Sequence, residues 1–76
     1  MLVFKVITCK YKVTGERKDR VKRTITLNNK ILHTVHTEPY GLSEAEVLSL
    51  SDIFLESLRS ALMLSNLNSR VIREDV

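Results

Sequence analysis

Apolar and polar residues alternate along the first part of the chain. Between Val3 and Val13 the apolar side chains fall mainly on every second position, which is the period of a strand with one buried face. We assign the odd-numbered members, Cys9 among them, to the buried side. Thr8 and Lys10 are then expected on the exposed side.

Two more strands follow in the pattern. Residues 14–20 contain Gly15 and a cluster of charges with no apolar side chain to bury, which predicts a hairpin loop. Residues 21–27 resume the alternation, residues 28–30 form a turn because Asn tolerates positive φ, and residues 31–37 are a third β-branched run. The sequence therefore predicts three consecutive strands.

A helix start signal comes next. Ser43 and Glu46 have the spacing of a capping box, in which each side chain bonds the backbone N–H of the other residue. Leu42 and Val47 stand in the flanking hydrophobic-staple positions, and apolar residues then recur at helical spacing. We predict an amphipathic helix over residues 43–66.

These elements predict an α+β fold in one domain, residues 1–76. Residues 1–37 form a three-stranded antiparallel meander, and after a break containing Pro39 the single long helix, residues 43–66, packs on one face of the sheet. The pattern leaves residues 67–76 open, either as a frayed tail or as a short added strand.

Charge is divided unevenly between the two halves of the chain. Residues 1–37 hold nine Lys or Arg against two Asp or Glu, a net charge of +7, whereas residues 38–76 hold three against seven, a net charge of −4. The modest overall charge of +3 conceals this division. A basic first half favours an anionic partner such as nucleic acid or an acidic protein surface.

The basic residues define a candidate surface on the uncovered sheet face and its hairpin. Lys side chains can neutralise phosphates, and Thr hydroxyls can bond phosphate oxygens. The expected contact residues are Lys10, Lys12, Arg17, Lys18, Arg20, Lys22, Arg23 and His36. Our leading hypothesis is a binding protein that contacts nucleic acid or a nucleic-acid-handling complex. The alternative for these residues is that they only keep an exposed sheet soluble.

A second candidate surface comes from an excess of apolar residues. The apolar arc of the helix is wider than one side of a three-stranded sheet can cover, and the start of the first strand is apolar on both faces. We expect Leu2, Phe4, Ile53 and Leu64 at a contact with a second molecule, most simply in a homodimer. The alternative function is a protein-interaction inhibitor or adaptor that acts through this surface.

Signals for chemistry are weak. Cys9 is the only cysteine, and no orienting group accompanies it. His33 and His36 are three positions apart on a predicted strand and should face opposite sides, which does not suit a shared metal. We therefore expect no enzyme activity, metal or cofactor. No run of apolar residues is long enough for a membrane span, and no signal peptide is visible, so we expect a cytoplasmic protein.

Overall fold

The computed structural model describes residues 1–38 and 41–76, so the predicted break at Pro39 lies outside the described residues. In chain order, the secondary-structure elements are β1 (Leu2–Tyr11), β2 (Arg20–Leu27), β3 (Lys30–His36), α1 (Glu44–Ala61) and β4 (Ser69–Asp75). Within this part of the chain, no helix combines the length and apolarity needed to cross a membrane.

The four strands form one mixed sheet in the order β3-β2-β1-β4. β1 pairs with β2 and β2 with β3, both antiparallel, which confirms the predicted meander. β4 adds to the other edge of β1 in parallel, so the prediction of a three-stranded sheet is incomplete. The segment that the sequence left open is therefore mostly a strand.

The turn between β2 and β3 has the conformation expected from its two asparagines. Asn28 and Asn29 have φ values of 48° and 70°, as in the two-residue type I′ turn that fits the twist of a hairpin. The side-chain Oδ1 of Asn28 also accepts a hydrogen bond of 2.9 Å from the backbone N–H of Val3. The turn thereby fixes the start of β1 as well as joining two strands.

The start of α1 is the predicted capping box. The N–H of Glu46 donates to Ser43 Oγ at 3.1 Å, and the N–H of Ser43 donates to Glu46 Oε1 at 3.0 Å. Leu42 packs with Val47 in the core, as the staple predicts. The capping box fixes the residue at which the helix begins.

The end of α1 comes at Ala61, five residues before the predicted end. Met63 adopts a positive φ of 55°. Its N–H donates to the carbonyl of Ser60, and the N–H of Leu64 donates to that of Arg59. This bonding pattern is the Schellman motif, which usually has glycine in the left-handed position. Because Met63, and not glycine, stands in this position, the sequence contains no stop signal there and the predicted helix extended beyond the observed end.

The core lies between α1 and one face of the sheet, and we call this face the helix side. Its buried side chains form two clusters: Phe4, Val6, Ile25 and Leu55 in one, and Val21, Val35 and Val47 in the other. α1 lies over β2 and β3. The opposite face of all four strands carries no helix, and we call it the open sheet face.

Candidate interaction surface

The buried face of β1 is the opposite of the face that the sequence predicted. Phe4 and Val6 are fully buried on the helix side, whereas Ile7 and Cys9 lie on the open sheet face. The reason is that β1 is apolar on both faces over its first six residues, so alternation alone could not choose the buried face. The chosen face is the one that also holds Val21 and Ile25, opposite β1 on β2.

The open sheet face therefore has an apolar centre. Val3 and Ile7 of β1 flank Lys5, which pairs with Ile72 of β4, and Cys9 follows Ile7 on the same face. The side chains of Val3, Ile7, Cys9 and Ile72 are all partly exposed. Lys22 and Thr24 of β2 continue the face on the other side of β1. The sequence-based prediction of a polar, Lys/Thr-rich face is correct for β2 and wrong for β1.

A shallow groove runs across this face. Its volume is about 230 Å³, and its walls are Ile7, Cys9, Thr24, Thr26 and Ile31, with Lys22 and Val76 at its margin. The Oγ1 atom of Thr26 is buried and has no hydrogen-bond partner among the described residues. A buried hydroxyl is normally bonded, so this groove combines apolar walls with one unsatisfied polar atom.

Half of the eight predicted contact residues are already engaged within the molecule. Lys10 lies on the helix side and pairs with Glu44 at 2.7 Å, and Lys12 lies 3.8 Å from Asp19. Lys10 therefore does not belong to the open sheet face. The hydrogen bond that Lys10 donates to Glu44, together with the negative charge of Glu44, raises the pKa of the Lys10 ammonium.

Arg20 is also paired, in this case within the hairpin. Its guanidinium bonds both carboxylate oxygens of Glu16, with Nε 2.9 Å from Oε2. The hydrogen bond to Arg20 lowers the pKa of the Glu16 carboxyl, with the charge of Arg20 acting in the same direction. This bidentate pair joins the middle of the β1–β2 loop to the start of β2.

Arg23 is the strongest departure from the prediction. It is only 9% exposed and lies beneath α1 on the helix side. Its Nη1 atom donates to the Leu48 carbonyl, Ser51 Oγ and Asp52 Oδ1 at 3.1 to 3.2 Å, and its Nε donates to Thr8 Oγ1 at 3.1 Å. Arg23 is therefore a structural residue that joins helix to sheet, and it is unavailable to a partner.

Three predicted cations form no ion pair within the described residues. Arg17 and Lys18 are exposed in the β1–β2 loop, and Lys22 is exposed on the open sheet face. The structure adds Lys5 and Arg70, which lie on the same face and which sequence reasoning missed. Lys5 was missed because the sequence assigned its face of β1 to the core. Arg70 was missed because the sequence did not decide whether residues 67–76 form a strand.

The two histidines lie on opposite faces, as predicted. His33 faces the helix side, where its ring stacks on Phe54 with a centroid distance of 4.3 Å. His36 pairs across from Lys22 and lies on the open sheet face. Within residues 1–38 and 41–76 no three His, Cys, Asp or Glu side chains converge as metal ligands.

The four predicted interface residues have different positions. Phe4 is fully buried in the core, so it is withdrawn as an interface residue, and Leu2 and Leu64 pack partly buried against the same cluster. Ile53 is 59% exposed on α1. Of this set, Ile53 alone presents most of its side chain to solvent.

No family model, curated protein or solved structure matches this chain.

Proposed function

We propose that this chain is a non-enzymatic binding protein whose open sheet face docks on an acidic protein surface. The observation that supports this proposal is the composition of that face: an apolar centre with a groove, and the cations Lys5, Lys22 and Arg70 beside it, which outnumber the carboxylate of Glu74 on the same face. Protein interfaces commonly combine an apolar centre with a charged rim. This proposal gives more weight to the protein-interaction alternative than the sequence did.

The groove gives the docking surface its specificity. Ile7, Cys9 and Ile31 offer apolar contact to an inserted side chain. The cations that are free of internal ion pairs, with Arg17 and Lys18 in the adjoining loop, would favour a partner with carboxylates around its contact.

Nucleic acid is the second candidate partner, and one observation favours it. Arg17, Lys18 and Lys22 are exposed and lack ion pairs within the described residues, as phosphate contacts require. Against this candidate, Lys10 is engaged by Glu44, Arg20 by Glu16, and Arg23 is buried. The predicted basic surface is therefore smaller than the sequence suggested.

An affinity-capture experiment in the source cells tests the main proposal. Ile7→Glu and Thr24→Glu place a carboxylate on the open sheet face, and Ser49→Glu places the same charge on the exposed side of α1 as a matched control. We expect wild type and Ser49→Glu to retain the same crosslinked protein and both open-face variants to lose it, with their melting curves showing that they remain folded. Capture that is equal in all four proteins would contradict docking by this face.

A salt titration separates the two candidate partners. If about three phosphates are neutralised, affinity should fall between about 50 and 200 mM salt by roughly 40-fold for a short duplex and roughly 20-fold for a single strand. Replacing Lys5, Lys22 and Arg70 by Ala should then abolish that binding. Such a result would replace the protein partner by nucleic acid, whereas negligible binding even at the lower salt favours the protein partner.

The homodimer expected from the sequence also remains a proposal. Its contact would be separate from the open sheet face, because Ile53 lies on α1 on the other side of the sheet.

A further inference from the structure

The two outer strands of the sheet differ in how their free edges are protected. β4 carries two arginines, a glutamate and an aspartate in seven residues, and charges of this kind discourage pairing at an edge. β3 has one lysine and no carboxylate in seven residues. Its Ile31 is 70% exposed and its Leu32 is 42% exposed. The free edge of β3 therefore carries less charge than that of β4, and a β-bulge at Leu32 interrupts it near Lys30 and Ile31.

Beyond this bulge, residues 33–36 of β3 direct alternate backbone groups toward the free edge. The N–H of Thr37 donates to the carbonyl of Val21 on β2. Bonded and non-bonded pairs alternate in an antiparallel ladder. His36 and Thr34, which pair with Lys22 and Thr24, therefore direct their N–H and C=O groups away from β2. These groups are available to another strand.

An apolar flank of α1 lies beside the same edge. Phe54 stacks on His33 of β3, and Leu50 precedes Phe54 by one turn and so shares its side of the helix. Leu50 and the adjacent Ile53 are 45% and 59% exposed. A bare peptide strand added to β3 would bond the edge but leave this flank uncovered.

The molecule is more extended than a chain of its size requires. Its accessible surface is 5371 Å², whereas a compact monomer of this mass exposes about 4,700 Å². Its radius of gyration is 13.6 Å, against about 11 Å expected for a compact domain. The surplus surface is close to the roughly 800 Å² that each partner buries in a standard interface.

The geometry points to a second copy of this chain as the occupant of the β3 edge, with the two β3 strands antiparallel about a two-fold axis at Thr34. This register places Thr34 opposite its own copy, a favourable cross-strand pair.

The same axis brings the two helices together. Phe54 stacks on His33, so α1 lies near the free edge of β3. The two-fold axis places the second copy's α1 on the same side of the sheet, beside the first helix. Leu50 and Ile53 would be buried between them. A copy of this chain thus covers the edge and the flank at once.

Mass measurement with proline variants tests this surface. Thr34→Pro removes an N–H that points away from β2, so the monomer fold should survive while the dimer loses two hydrogen bonds by symmetry. Asp75→Pro is the matched control, since the N–H of Val76 bonds Thr8 and the alternate N–H of Asp75 therefore faces solvent on the β4 edge. Circular dichroism establishes that both variants are folded.

Wild type and Asp75→Pro should sediment at about twice the 8.7 kDa chain mass. Thr34→Pro should weaken dimerisation about 30-fold or more. A wild type that stays monomeric at high concentration overturns this inference together with the homodimer proposal on which it rests. A Thr34→Pro protein that dimerises like wild type overturns only the β3 surface. Neither result bears on partner binding by the open sheet face.

Discussion

Arg23 joins the helix to the sheet through one guanidinium group. It bonds Thr8 on β1, and Leu48, Ser51 and Asp52 on α1. Asp52 also accepts from Arg73 of β4 at 3.2 Å. Because a buried cation is tolerated only when it is paired and bonded, this arrangement specifies where α1 lies on the sheet.

We expect Arg23→Ala to lower the free energy of unfolding by about 3 kcal/mol, since it removes charge-assisted hydrogen bonds and leaves a cavity under the helix. Urea unfolding measures the change. Lys22→Ala is the matched control, because Lys22 is the neighbouring cation but is exposed, and its effect should stay within about 0.5 kcal/mol. An Arg23→Ala protein within about 1 kcal/mol of wild type would show that these bonds contribute little.

The pair formed by Glu16 and Arg20 makes a prediction about pH. Its hydrogen bond lowers the pKa of the Glu16 carboxyl in the folded protein. The stability from this pair is therefore present above the ordinary pKa of glutamate and is lost as the pH falls through the lowered pKa. A carboxyl titration by NMR should give a midpoint for Glu16 below the ordinary value, and Arg20→Gln should return it to that value. An unchanged midpoint in Arg20→Gln would exclude Arg20 as the cause.

At the scale of elements, hydrogen bonds stabilise the N-terminus of α1, whereas its C-terminus carries backbone strain. Its capping box satisfies donors at the N-terminus with two side chains. Its Schellman end places Met63 at φ 55°, where an L-residue other than glycine is strained by about 1 to 2 kcal/mol. The structure accepts this strain because Leu58 and Leu64 then pack against the core on either side of the turn.

We expect Met63→Gly to raise the free energy of unfolding by about 0.5 to 1 kcal/mol, the relieved strain less the entropy of a flexible glycine. Little packing is lost, because Met63 is almost fully exposed. Ala61→Gly is the control within the helix and should lower stability by about 1 kcal/mol. Thermal unfolding of both variants checks the opposite signs, and equal destabilisation would refute the strain.

At the scale of the whole molecule, the uneven charge of the sequence is partly used in folding. Lys10 and Arg23 of the basic half bind Glu44 and Asp52 of the acidic half. These contacts join the sheet to the helix, so part of the basic charge is neutralised within the molecule. Among the described residues, the cations of the basic half that form no ion pair are Arg17 and Lys18 in the β1–β2 loop, Lys5 and Lys22 on the open sheet face, and Lys30 at the start of β3.

The amino-acid sequence by itself determined the local elements. Alternation placed three strands, the Asn28-Asn29 pair determined a tight turn, and Ser43 with Glu46 determined the start of the helix. Each of these signals is a short-range preference of backbone and side chain, which a neighbour a few residues away can satisfy. The class and the antiparallel order of β1 to β3 follow from such signals.

Tertiary structure alone decided which face of β1 is buried, and with it the character of the candidate surface. β1 is apolar on both sides at its start, so only the apposition of Phe4 and Val6 with Leu55 settles the choice. The same holds for β4, whose residues become a strand because β1 has a free edge to pair with. Arg23 also gave no local sign of burial, since its partners Leu48, Ser51 and Asp52 are at least 25 residues away. Long-range pairing therefore determined the surface that a partner would meet.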